Sequence, residues 1–111
     1  IGRGVFIKGK THDGGAVEIE LGHLQLDPGE ELSPGKQIDV LLRADDIQHD
    51  DESPMQAEVV RKAFRGADFL YTLKLQSGQE VFAFVPSHHN HAIGEKIGIR
   101  LGADHVVTFK N

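Results

Sequence analysis

The chain has 111 residues, with 12 Lys and Arg against 17 Asp and Glu and a net charge of −5. That balance excludes the basic surface a nucleic-acid binder needs to displace counterions from phosphate. Hydrophobic content of 39% and charged content of 26% are ordinary for a globular domain, cysteine is absent, which removes disulfides and thiolate chemistry and fits a reducing compartment, and no apolar run approaches the ~20 residues of a membrane-spanning helix.

Ile1-Gly2-Arg3 opens the chain without a methionine or a leader-like segment, as expected of a piece cut from a longer protein. Next, Gly4-Val5-Phe6-Ile7-Lys8-Gly9-Lys10-Thr11 satisfies the phosphate-loop pattern G-x-x-x-x-G-K-[ST] letter for letter. A working phosphate loop needs a buried strand before it and a helix after it, so that backbone N–H groups point at the phosphates. Here Val5-Phe6-Ile7 is strand-like and His12-Asp13-Gly14-Gly15 begins a turn, so the segment is predicted to be a strand without nucleotide chemistry.

Helix periodicity is missing along the chain, while alternation recurs. Val17, Ile19 and Leu21 alternate with Glu18 and Glu20, and Ile38, Val40 and Leu42 alternate with Asp39 and Arg43. Asp13-Gly14-Gly15, Asp27-Pro28-Gly29 and Ser33-Pro34-Gly35 are turn sequences, and Ala44-Asp45-Asp46 suits a single helical or 3-10 turn. Asp45-Asp46 and Asp50-Asp51-Glu52 flank His49 but lack the order of a calcium loop, and the run reads as a solvated linker. Residues 57–64 form a further strand, with Val59 and Val60 placing apolar groups on both faces. Arg61, Lys62 and Arg65, near Gly66, are candidates for binding an oxyanion or pairing with carboxylates of a neighbouring chain.

Phe69, Tyr71, Leu73 and Leu75 alternate with Thr72 and Lys74, and Ser77-Gly78 follows as a hairpin turn. In Val81-Phe82-Ala83-Phe84-Val85 the valines point one way and the phenylalanines the other, so this strand is central or has its outer face covered. Ser87-His88-His89-Asn90-His91 makes His88, His89 and His91 candidate metal ligands, with His89 and His91 on one face of an extended segment. Imidazoles suit zinc or copper better than ferric iron, which prefers oxygen. Ile97, Ile99 and Leu101 close the alternating series. No serine sits in a nucleophile elbow, and neither a dinucleotide fingerprint nor a metal triad points to an enzyme.

Gly35-Lys36-Gln37-Ile38-Asp39-Val40-Leu41-Leu42-Arg43-Ala44-Asp45-Asp46-Ile47 aligns with Gly94-Glu95-Lys96-Ile97-Gly98-Ile99-Arg100-Leu101-Gly102-Ala103-Asp104-His105-Val106. Two related β-units follow, about residues 1–50 and 55–111, joined by the polar link Asp50-Asp51-Glu52-Ser53-Pro54. Short strands separated by turns at this spacing predict an all-β barrel or sandwich.

Arg43-Ala44-Asp45-Asp46-Ile47 after an alternating strand resembles the arginine-proline-glutamate-x-isoleucine signature of TOBE domains, the transport-associated OB modules at the C-terminal end of ABC-transporter ATPases. Ala57-Glu58-Val59-Val60, Phe64-Arg65-Gly66-Ala67-Asp68-Phe69-Leu70-Tyr71-Thr72-Leu73, Gly78-Gln79-Glu80-Val81, Gly94-Glu95-Lys96-Ile97 and His105-Val106-Val107-Thr108-Phe109 extend the likeness over nearly the whole chain. Within the family the chain is most similar to bacterial ferric-iron import ATPases. Ala44 stands where the family usually has proline, and the serine-alanine-arginine-asparagine motif of molybdate-binding modules is absent. The resemblance implies an OB-like (MOP-like) small barrel acting as a regulatory and dimerising appendage. Leu70, Val81, Phe82, Phe84 and Val85 are then the interface candidates. It also implies no cofactor in this segment, with ATP and magnesium bound by a preceding domain. Expected partners are a second ATPase copy and membrane permease subunits, at the cytoplasmic face and without direct membrane insertion. A small-ligand sensor for metal or oxyanion is the competing expectation.

Overall fold

The computed structural model describes residues 4–26, 33–102 and 108–109. The opening tripeptide, the Asp27-Pro28-Gly29 turn and the second repeat copy beyond Gly102 lie outside the described residues. Among the described residues the alternating runs fold into ten strands: β1 Gly4–Thr11, β2 Ala16–Ile19, β3 Gly22–Gln25, β4 Gln37–Arg43, β5 Ile47–His49, β6 Gln56–Phe64, β7 Asp68–Lys74, β8 Glu80–Pro86, β9 Lys96–Leu101 and β10 Thr108–Phe109. Among the described residues there is no α-helix; 3-10 turns lie at Asp13–Gly15 and Ala44–Asp46, the second where the acidic turn was expected.

Two five-stranded antiparallel sheets result, in the orders β10-β4-β1-β2-β3 and β5-β9-β6-β7-β8. The two orders are the same pattern: β1 corresponds to β6, β2 to β7, β3 to β8 and β4 to β9. The fifth strand of each set is exchanged. β5 leaves the first sheet to pair with β9, and β10 returns to pair with β4. The edges β5 and β8 of the second sheet curl toward each other without a hydrogen-bonded ladder, giving a nearly closed barrel, and β8 also packs against β1 and β4.

The phosphate-loop pattern is consumed by β1, which pairs with β4 from Gly4 opposite Arg43 to Lys10 opposite Gln37. Buried Thr11 donates its hydroxyl to the Ser33 carbonyl at 2.6 Å and accepts the Lys36 N–H at 2.9 Å, fastening the chain's return from β3. The expected strand through Leu21 instead stops at Ile19. Gly22 takes φ +139°, which a side chain disfavours, so the chain reverses at Glu20-Leu21 and β3 runs back along β2. A register shift between Val59 and Arg61 explains the consecutive apolar residues of β6. Val59 is buried, and Val60 is only half-buried.

The core is filled from both sheets by Val17, Ile38, Val40, Leu42, Ile47, Val59, Tyr71, Leu73, Val81, Val85, Ile97 and Ile99. Each such aliphatic side chain contributes about 1.5–3 kcal/mol by leaving water. On β8 the alternation holds as expected, with Val81, Ala83 and Val85 inward and Phe82 and Phe84 half-buried on the other face.

Candidate functional site

The seam between β5 and β8 gathers histidines. Ile47 is buried, Gln48 exposed and His49 inward again, so a period of two aims the His49 ring from β5 into the seam, with its side chain 8% exposed. After β8 the chain passes through Ser87-His88-His89-Asn90-His91, and this loop is held down at several points. Buried Tyr71 of β7 donates its hydroxyl to the His89 carbonyl at 3.0 Å and accepts the His91 N–H at 2.8 Å. Lys62 of β6 donates to the Asn90 side-chain oxygen at 2.6 Å and to the His91 carbonyl at 2.9 Å.

These anchors bring three rings together. The His49 centroid lies 5.0 Å from that of His89 and 5.1 Å from that of His91, and the His89 and His91 planes are parallel within 3° at 6.4 Å. One ring nitrogen from each of the three lies within 4.8 Å of the other two. His91 Nδ1–H donates to Glu95 Oε2 at 2.7 Å, and Glu95 Oε1 accepts the Ala92 N–H at 3.0 Å. With Nδ1 carrying that proton, the lone pair of neutral His91 is on Nε2, which is buried and has no hydrogen-bond partner. His49 Nε2 is likewise buried; Asp51 Oδ1 stands 2.7 Å away, but the angles are not those of a hydrogen bond.

Desolvation of the half-buried ring holds His89 below the ordinary histidine range, with the charges of His88 and His49 acting the same way. The His91 hydrogen bond, and then the Ala92 N–H, hold Glu95 below the usual carboxylate range. Imidazole nitrogens gathered beside a carboxylate are suited to coordination.

Of the three histidines singled out from the sequence, His89 and His91 enter the cluster. His88 is exposed, and its ring lies tilted against His89 with centroids 4.2 Å apart. His49, expected in a solvated linker, is the third member; the alternation of Ile47 and Gln48, extended by one residue, turns it inward. The acidic run around it is partly structural, since Asp46 accepts the Arg43 N–H at 2.8 Å and Asp50 pairs with Arg100 at 3.3 Å.

The basic group is dispersed among separate partners. Arg61 pairs with Glu80 at 3.2 Å, Lys62 holds the histidine loop, and Arg65 pairs with Asp68 at 3.5 Å while covering the Phe84 ring at 4.3 Å. Of the interface candidates, Val81 and Val85 are fully buried and unreachable by a partner, because β8 turns them into the core. Leu70, Phe82 and Phe84 are half-buried, and the exposed Phe64 ring lies tilted against Phe69, with centroids 5.3 Å apart. An open cleft of about 380 Å³ lies between Gln56, Glu58, Lys74, Leu75, Gln76 and Lys96, with Glu58 opposite Lys74 on one side and Lys96 on the other.

A profile of the TOBE domain matches residues 40–109, from within β4 to the end of β10. The fold superposes on a solved structure of the cytoplasmic molybdate-binding protein ModG with molybdate bound, at a TM-score of 0.72 and 16% identity, covering 96% of each chain. At that identity the likeness is one of fold. No curated protein sequence matches the chain.

Proposed function

The chain belongs to the TOBE domain family, and from that membership we propose that it is the non-catalytic regulatory and dimerising module of an ABC importer's ATP-binding subunit, of the ferric-iron class. The observation that carries this reading is the family match over residues 40–109. The finer assignment draws on the order of motifs from Arg43-Ala44-Asp45-Asp46-Ile47 onward, which runs through β4, the 3-10 turn and β5. In this reading a preceding domain binds ATP and magnesium, and this module touches its copy in a second subunit. The assembly sits against membrane permeases on the cytoplasmic side. Among the described residues no helix is long and apolar enough to cross a membrane.

The test is the coding sequence upstream of Ile1. A Walker motif and an ABC signature in the same reading frame are expected; a frame that holds no ATPase domain overturns the proposal. A second reading, an oxyanion sensor, is favoured by the fold shared with a molybdate-binding protein, and the cleft bearing Lys74 and Lys96 would be its site. A ligand at ~100 times its Kd stabilises the native state by about 2.7 kcal/mol. A thermal-shift screen with molybdate, sulfate and phosphate is therefore expected to be flat for the importer module, and a rise in Tm with molybdate selects the sensor.

A further inference from the structure

We propose that His49, His89 and His91 form a binding site for a divalent transition metal of the zinc class, placed where it fastens the open seam of the second sheet. The inference rests on this chain's side chains and stands independently of the importer reading.

Three imidazoles without thiolates select zinc, copper(II) or nickel, and reject calcium and magnesium, which take oxygen ligands. His91 presents a buried Nε2 with no hydrogen-bond partner, and His49 a buried Nε2 whose neighbour is the Asp51 carboxylate oxygen at 2.7 Å, outside hydrogen-bond geometry. Such nitrogens are costly in a folded protein unless something uses the lone pair. Behind His91, Glu95 accepts the Nδ1 proton, the second-layer arrangement that fixes tautomer and ring orientation in metal sites and leaves Nε2 to coordinate. Glu95 is itself held by the Ala92 N–H, and Tyr71 and Lys62 pin the loop backbone, so much of the ordering is done before any ion arrives.

The spacing is near that of a ligand set. Zinc–nitrogen bonds of about 2.0–2.1 Å in a tetrahedron put nitrogens about 3.3 Å apart. The three donors lie within 4.8 Å of one another. Ring rotations that shift the nitrogens by about an ångström therefore close the set, and the His89 ring is only half-buried. Asp51, with Oδ1 already 2.7 Å from His49 Nε2, is placed to supply an oxygen at the fourth position.

The consequence is mechanical. His49 belongs to the first repeat unit and His89 and His91 to the second, and no ladder joins β5 to β8. A bound ion supplies that missing link, so occupancy raises stability and stiffens the junction between the units.

The experiment uses the full chain, purified without a polyhistidine tag and stripped with EDTA. Zinc is titrated calorimetrically and cobalt(II) by visible absorption. One ion per chain at micromolar or tighter affinity, a rise in Tm with zinc, and the intense cobalt bands of a tetrahedral site are expected. Glu95→Gln should weaken zinc binding by about 10–100-fold; His49→Gln and His91→Gln should weaken it at least as much, and His88→Ala should leave it unchanged. Because His49 and His91 are enclosed, His89→Gln, in a more accessible ring, keeps the test valid if those variants fail to fold. Its far-ultraviolet spectrum should match the wild type while the cobalt bands vanish. Absence of zinc heat in the wild type overturns the site, as does binding that survives His89→Gln or is abolished by His88→Ala.

Discussion

Tyr71 is fully buried and spends its hydroxyl on two backbone groups of the histidine loop. Tyr71→Phe keeps the ring packing and orphans the His89 carbonyl and the His91 N–H. The expected loss is about 1–3 kcal/mol, seen in urea as a lower midpoint at unchanged slope; an unaltered midpoint contradicts this role. On the first sheet, His12 Nε2 lies 2.9 Å from Glu18 Oε1, and that hydrogen bond is the largest cause holding the Glu18 carboxyl below its usual value. A carboxylate lowered in the folded state stabilises above its unfolded pKa, and the contribution disappears as pH falls through the folded one. Carboxyl carbon NMR should show Glu18 titrating below an ordinary glutamate and returning to normal in His12→Ala. His89 and His91 were legible as possible ligands because they are neighbours in sequence. Their third partner was not, since His49 sits inside an acidic run distant in sequence; alternation with Ile47 and Gln48 turns it inward, but only the pairing of β5 with β9 brings it opposite the loop.

Glycine governs how closely the short β5 segment can approach β9. Gly98 accepts the Asp50 N–H at 2.8 Å, and a Cβ at Gly98 would overlap the Asp50 carbonyl oxygen. Backbone cannot swing away, so Gly98→Ala should cost about 1–3 kcal/mol. At Gly102 the atoms nearest an added Cβ belong to the exposed side chain of Gln48, which can rotate away, and Gly102→Ala should cost less than Gly98→Ala. Equal effects in urea unfolding would show that the approach of β5 is not limiting. Strands with clean alternation, such as β4, β7 and β9, were readable from their sequences. β3 was hidden because Glu20-Leu21 continues the apolar alternation of β2, and only the φ of Gly22 shows the reversal. The doubled valine of β6 marked a strand that does lie in the middle of its sheet, but the bulge that breaks its period of two was not readable from it.

The exchange of β5 and β10 ties the two sheets to each other, so residues 1–50 and 55–111 are expected to unfold together. Residues 1–50 keep the β1–β4 pairing but lack β10 on the other side of β4, and residues 55–111 keep the β6–β9 pairing but lack β5 on the other side of β9. Each leaves a bare sheet edge. Expressed separately, both halves should lack a cooperative melt by circular dichroism, and mixing them should restore one. A cooperative transition in either half alone would mean that the exchange is incidental to stability. The aligned segments beginning at Gly35 and Gly94 pointed to β4 and β9, which occupy equivalent places in their sheets. The exchange itself left no local trace, since which sheet a strand joins is decided by the chain's path rather than by its own pattern.

The same crossing sets an order on biosynthesis. As the chain emerges from the ribosome, β4 is exposed early, yet Val40 pairs with Thr108, so the first sheet must wait with an open flank until almost everything after it has been made. Contacts so distant along the chain slow folding. The nascent domain therefore passes through a long interval in which β4 can recruit a stray strand, including β10 from a neighbouring polypeptide on the same message.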